Sequence, residues 1–260
     1  MSAAPPPRHS KQQIESAAIV LHCRDHGESD LIITFFCRQL GRVTGIAKGA
    51  KRSKKRFVNK LELFSSLRIQ HTLPPGNRLA FIAEAELIDG FLSLRQDISC
   101  YAAASTIREV VLLATKEMEG DEELYPLLNW SFQSLNNGRP PRPTLIFFLI
   151  RFFAAIGYSP QLSSCLGCDQ KVSAQETYRF HNASGGIFCS SCNEGRQTEQ
   201  TRLSLGTLKT LTVAMERPLE RLHRLLLSDT SQQEALAFLH SYARQLFQRE
   251  IASWAFLDEL

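Results

Sequence analysis

Two periodicities divide the chain. Between Glu15 and Ile88, short runs rich in Ile, Val, Leu, Phe and Thr predict strands over Ser16–Leu21, Leu31–Cys37, Arg42–Ala47, Leu61–Gln70 and Arg78–Ile88. Asp25-His26-Gly27, Gly41 and Pro74-Pro75-Gly76-Asn77 supply the turns between them. Five short strands in about 75 residues predict a small antiparallel barrel of the five-stranded Greek-key type, with an SH3-like barrel as the alternative. After Asp89 the period changes to about 3.6, which predicts helices over Tyr101–Thr115, Leu124–Leu135 and Thr144–Ile156. Phe147, Phe148, Phe152 and Phe153 make the third of these apolar almost all round, as expected of a buried central helix. Residues 160–195 lose the helical period. Helices resume at about Ser204, and Ser231-Gln232-Gln233-Glu234 reads as a capping box ahead of Leu236, Leu239, Tyr242, Ala243, Leu246 and Phe247.

The predicted fold class is α+β: an N-terminal OB-type barrel followed by a helical domain interrupted by a cysteine-bearing module. The expected segments are a flexible tail over 1–13, the barrel over 14–90, helices over 91–159, the module over 160–197, and helices again over 198–260. With 43% hydrophobic and 22% charged residues, the chain can bury a core. Its longest apolar stretch, Thr144–Ile156, is 13 residues and contains Arg151, too short for a membrane span. The polar start with Pro5-Pro6-Pro7 has no apolar segment of a secretory signal. The expectation is a cytoplasmic protein.

Charge is unevenly placed. Residues 1–80 carry 14 Lys+Arg against 5 Asp+Glu, whereas residues 81–260 carry 16 against 21. The excess concentrates in 38–60, where Arg38, Arg42, Lys48, Lys51, Arg52, Lys54, Lys55, Arg56 and Lys60 occur without a single acid. Like charges at this density repel one another; a polyanion opposite them, with counterions released on binding, is the expected reading, against a solvated loop or a basic address signal as the alternative. On an OB-type barrel a basic loop follows the nucleic-acid backbone while outward aromatics stack bases. Phe35, Phe36, Phe57 and Phe64 are the candidates, although adjacent strand residues face opposite ways, so at least two of Phe35, Phe36 and Phe64 are expected in the core.

The seven cysteines also divide. Cys23, Cys37 and Cys100 are scattered, while Cys165, Cys168, Cys189 and Cys192 form two Cys-x-x-Cys pairs separated by 20 residues. Two such knuckles make a closed tetrahedral zinc site, and four thiolates leave no open position for catalysis, so a structural zinc is expected. Leu166, Tyr178, Phe180, Ile187 and Phe188 can cover it, and His181 is read as an ordinary surface histidine. A thiol-disulfide oxidoreductase using Cys165 and Cys168 is a competing reading, but no βαβ pattern surrounds them. The chain has no phosphate-binding P-loop, nucleophile elbow, His-Glu-x-x-His or Gly-x-Gly-x-x-Gly, and Asp121-Glu122-Glu123 reads as a helix start. A non-enzymatic binding protein is expected, with a zinc-ribbon RNA-binding or transcription factor as the alternative.

Several of these residues fall into a series. Gly27-Glu28-Ser29-Asp30-Leu31-Ile32-Ile33-Thr34, Gly41-Arg42-Val43 and Ala47-Lys48-Gly49-Ala50-Lys51-Arg52-Ser53 are followed by Arg151-Phe152-Phe153, Gly157-Tyr158 and the cysteine quartet around Gly185-Gly186. In this order, over roughly residues 14–255, the chain resembles the RecO family of bacterial recombination mediators. Cys37 stands where that family has Thr or Ser, and some of its members lack the four cysteines. The resemblance implies an OB-fold, a helical domain and a zinc module. It implies binding of single- and double-stranded DNA and annealing of complementary strands. It also implies contact with the acidic C-terminal tail of single-stranded-DNA-binding protein, a complex with RecR, help in loading RecA, and a place at the nucleoid. Lys48, Lys51 and Arg52 match the family's basic loop, and Lys54, Lys55 and Arg56 extend it.

Overall fold

The structure, a computed structural model, describes residues 13–74, 76, 79–174, 176–195 and 199–258. The tail expected over 1–13 lies outside the described residues apart from Gln13. Two compact units emerge. One holds the chain up to Gly90 together with Lys116–Asp121; the other holds Phe91–Thr115 and the chain from Glu122 onward.

The first unit is a closed five-stranded barrel with strand order β1-β2-β3-β5-β4, built from β1 (Ile14–His26), β2 (Asp30–Cys37), β3 (Gly41–Ala47), β4 (Ser66–Thr72) and β5 (Ala80–Asp89). β1 is long enough to serve two neighbours: Ile14–Ile19 pair with β4 and Ala18–His26 pair with β2, with a bulge between Val20 and His22. Parallel pairing of Gly45 with Ala80 and Ile46 with Phe81 closes the ring. Val20, Ile33, Phe35, Val43, Leu67 and Ile82 point inward and are fully or almost fully buried. The fourth strand starts at Ser66, five residues later than its apolar run suggests. Leu61, Leu63 and Phe64 do not alternate; they form a turn in which Phe64 takes φ 70° and donates its N–H to Val20 O at 2.9 Å.

The segment Lys116–Asp121 straps the outside of β3. Met118 N–H donates to Arg42 O at 2.8 Å, and the Glu117 carboxylate accepts from Thr44 N–H at 3.0 Å and from Thr44 Oγ1 at 2.6 Å. The strap runs so close that a Cβ on Gly41, which already needs φ 65°, would lie 1.9 Å from Glu119 O.

The second unit contains α1 (Leu92–Gln96), α2 (Ile98–Ala114), α3 (Leu124–Asn136), α4 (Pro141–Ala155), α5 (Ser190–Asn193), α6 (Leu205–Glu216), α7 (Asp229–Phe247) and α8 (Ala255–Asp258). A sheet of order β7-β6-β8 from Tyr178–His181 (β6), Gly186–Cys189 (β7) and Gln200–Leu203 (β8) completes it. α4 is the expected central helix: Leu145 to Ile150 are all buried, and it packs against α2, α3, α6 and α7. Arg151, the charge in its second half, donates to the carbonyls of Met215 and Arg217 at the end of α6, where the helix leaves carbonyls unpaired. Phe180 of β6 packs on Phe238 and Tyr242 of α7, with ring centroids 4.3 and 5.2 Å away.

The expected capping box does not form. Ser228 caps α7 by accepting from Ser231 N–H, three residues before the expected start. Glu234 turns away to the start of α6, where its carboxylate accepts from Ser204 N–H at 2.9 Å and Thr207 Oγ1 at 2.5 Å. An earlier hydroxyl took the cap, and free N–H groups on a neighbouring helix attracted the carboxylate. No helix among the described residues is long and apolar enough to cross a membrane.

One polar pair sits inside the barrel. His71 is fully buried and its Nε2 lies 3.0 Å from Ser16 Oγ, while Nδ1 has no partner among the described residues. Burial holds the imidazole below its ordinary pKa. Below about pH 6.5 the unfolded chain binds a proton that the folded barrel resists, so the stability owed to neutral His71 is complete above that pH and is lost as the pH falls. Resistance to denaturant is expected to fall from about pH 7.5 to about pH 5.5, and His71→Asn to make that fall shallower by up to ~1.4 kcal/mol per pH unit.

Candidate nucleic-acid interface and metal centre

The basic run leaves β3 at Lys48 and passes through a short 3-10 turn over Ala50–Arg52. The tip of the β1–β2 hairpin anchors its start. Asp30 Oδ1 accepts from Gly49 N–H at 2.8 Å, and Ser29 O accepts from Lys51 N–H at 3.0 Å. The Gly49 N–H is the main reason the Asp30 carboxyl sits below its usual range.

The nine cations do different things. Arg56 donates to Ala83 O at 3.1 Å and Lys48 O at 3.2 Å, with its guanidinium 5.0 Å from the Phe57 ring centroid. Lys60 Nζ donates to Lys55 O, Arg56 O and Ala85 O at 3.0, 3.2 and 2.7 Å. These two fasten the loop to β5 and close it on itself. Lys51 pairs with Asp25 at 2.7 Å and Arg52 with Glu28 at 3.3 Å. Pairs this exposed contribute ~0–1 kcal/mol and are open to competition from phosphate. Lys48, Lys54 and Lys55 are exposed and form no ion pair among the described residues.

Arg38 and Arg42 are not part of this cluster. Cys37 pairs with Gly41 at one end of the β2–β3 ladder and Leu31 with Ala47 at the other, so the two arginines lie ~20 Å along the strands from Lys48. Arg38 is exposed and without an ion pair among the described residues, while Arg42 Nε faces Glu117 at 3.4 Å. The expected aromatic platform is also corrected: Phe35, Phe36, Phe57 and Phe64 are all buried, at most 3% exposed. Both faces of β2 are covered, so alternation sends neither phenylalanine to solvent. Among the barrel's five phenylalanines only Phe81 is exposed, and it shares its face of β5 with Ala83, where Arg56 is fastened. Alternation around buried Ala80 and Ile82 was the signal that could have found it.

In the other unit, Cys165, Cys168, Cys189 and Cys192 place their Sγ atoms within 4.8 Å of one another. The first pair lies in a tight loop and the second spans the end of β7 and the start of α5. The Cys168 and Cys189 sulfurs are 3.9 Å apart, far beyond a ~2.05 Å disulfide and close to the ~3.8 Å edge of a tetrahedron with sulfurs ~2.3 Å from a metal. Burial opposes ionisation of Cys165, but N–H groups of Cys189, Gly167 and Cys168 turn toward its sulfur and bring its pKa down to about 6. Cys192 is pushed up to about 12, chiefly by the neighbouring Cys189 sulfur. One thiolate is welcome here, and further ones repel unless a cation sits among them. Gly167 is indispensable to this packing, since a Cβ there would lie 2.8 Å from both Cβ and Sγ of Cys192. The residues therefore fit a metal ion.

His181 is not a surface residue. It is 1% exposed, its Nε2 lies 2.6 Å from Asn193 Oδ1, and its ring meets Phe188 edge-on at 4.8 Å. Among the described residues the four cysteines are the one metal-ligating cluster.

Residues 12–91 match the family described as "Recombination protein O N terminal", and residues 95–255 match "Recombination protein O C terminal". Curated relatives extend over nearly the whole length. DNA repair protein RecO of Syntrophus aciditrophicus is 31% identical over 95% of each chain. That of Desulfatibacillum aliphaticivorans is 32% identical over 95% of this chain and 97% of its own, and that of Symbiobacterium thermophilum is 31% identical over 93% and 95%. With both halves matched in order and similarity end to end, the chain belongs to the RecO family of DNA repair and recombination proteins.

Proposed function

We propose that the protein is a recombination mediator acting without a chemical step, and that its basic loop binds the phosphates of single- and double-stranded DNA. The observation that carries this reading is the division of labour in the loop. Asp30, Arg56 and Lys60 fix its backbone, so Lys48, Lys54 and Lys55, which form no ion pair among the described residues, are held out on a backbone that is already ordered. Lys51 and Arg52 join them by exchanging exposed carboxylates for phosphates. Arg38 and Arg42, at the far end of the ladder, would meet a longer or second strand, and Phe81 is the candidate for base stacking.

Neutralising two strands at once lowers their mutual repulsion and raises their local concentration, which is the physical basis for annealing complementary strands. The remaining steps follow the family role: docking to the acidic C-terminal tail of single-stranded-DNA-binding protein, a complex with RecR, and help in loading RecA onto coated DNA. The place of action would be the cytoplasm, at the nucleoid.

Zinc is the metal we assign to the cysteine quartet, as a structural ion. Four thiolates complete its tetrahedral shell and leave no position for substrate. The ion would brace Cys165–Cys168 against β7 and hence the sheet packed on α7.

Two outcomes are expected. Changing Lys48, Lys54 and Lys55 together to Glu should weaken binding to all sequences alike and reduce the log–log salt slope for single strands by about 2, at ~0.7 per phosphate contact. The same variant should slow annealing of complementary strands coated with single-stranded-DNA-binding protein; an unchanged slope would move the site elsewhere. Elemental analysis should find about one zinc per chain, and chelation should expose four thiols and lower the melting temperature. Gly167→Ala should lose the metal at lower chelator concentration.

A further inference from the structure

With four of the barrel's phenylalanines buried, Phe81 alone offers a stacking surface, and a strand lying along the basic loop has further bases to place. Beneath the basic loop lies a cleft of about 450 Å³, within the ~300–1,000 Å³ range of small-molecule pockets. Leu31, Phe57 and Leu61 give it an apolar lining, and Lys51, Lys60 and Glu62 supply its charges. Those charges cancel. Lys51 is paired with Asp25 at 2.7 Å in the free protein and would be paired with phosphate once a strand binds, and Lys60, whose ammonium is engaged by three carbonyls, shares the cleft with Glu62. A locally neutral hollow lined by both apolar and polar groups, Ser53 and Asn59 among the latter, does not select an anion; it suits an uncharged group with polar edges, such as a heterocyclic base. The surplus cations Lys48, Lys54 and Lys55 stand on the same loop but do not line the cleft.

We propose that this cleft receives one unstacked nucleobase of the strand whose phosphates lie along Lys48, Lys54 and Lys55. The inference rests on the phosphate contact proposed above and makes the loop selective. A single strand can turn a base into the cleft, whereas a duplex must first break a pair. The rigid loop sets the spacing between base and phosphates, because the carbonyls of Lys55 and Arg56 are tied to Lys60 at the cleft itself.

Cys23 also lines the cleft and is only partly buried, while Cys37 and Cys100 are buried and the other four cysteines form the metal-type cluster. Alkylation of Cys23 by iodoacetamide, followed by peptide mass spectrometry on the full chain in zinc-containing buffer, therefore reports occupancy. Saturating oligothymidylate is expected to slow Cys23 alkylation about fivefold or more, and an abasic deoxyribose-phosphate strand of the same length, also at saturation, to leave it nearly unchanged. Val58→Trp, at an exposed position of the cleft, should fill the hollow and weaken oligothymidylate binding about tenfold while leaving duplex binding unchanged. Equal protection by both strands, or parental affinity in the Val58→Trp protein, would overturn the cleft assignment while a normal salt slope kept the phosphate contact standing. If neither strand bound, both readings would fall together.

Discussion

The constraint on which the rest depends is the repulsion within Lys48–Arg56, where six of nine residues are cationic. Such a segment left to itself extends and fluctuates, and ordering it on a ligand costs free energy at the moment of binding. Here the repulsion is met from inside the fold. Asp30 takes the Gly49 N–H, Ser29 takes the Lys51 N–H, and two of the cations turn back on carbonyls. Arg56 and Lys60 keep their charges but, drawn onto carbonyls, lend the loop a fixed shape. What remains outward is a small set of lysines with defined spacing above a cleft.

The same economy governs the cysteine cluster. Sulfur atoms this close cannot all ionise without a cation: backbone N–H groups bring Cys165 down, while the neighbouring sulfurs hold Cys192 up. The ring packing of Phe180 against α7 carries the small sheet, so the knuckles sit on a surface that already has an apolar anchor. A metal there tightens loops and does not replace a core.

Two long-range carboxylates show how much of the fold is decided by distant partners. Glu117 satisfies Thr44 across 73 positions and fixes the Lys116–Asp121 strap on β3. Glu234 caps α6 from α7, across 30 positions. Both are short contacts to N–H and hydroxyl donors, and for Glu234 the local sequence offers a competing use, the capping box at Ser231, that the longer-range partners displace.

The sequence by itself determined the barrel-then-helix order, the central apolar helix, the pairing of four cysteines and the position of the cationic run. Each of these is written in local periodicity or fixed spacing, which the chain expresses without reference to remote residues. Only the tertiary structure decided which cations are clasps and which are free, that four phenylalanines are core, that His181 is buried, that Ser228 and not Ser231 caps α7, and that Arg38 and Arg42 lie apart from Lys48. Those outcomes turn on which groups meet across tens of residues. A strand pattern says that a side chain faces in or out, but solvent exposure depends on what covers that face, and a charge count says nothing about the carbonyls within its reach.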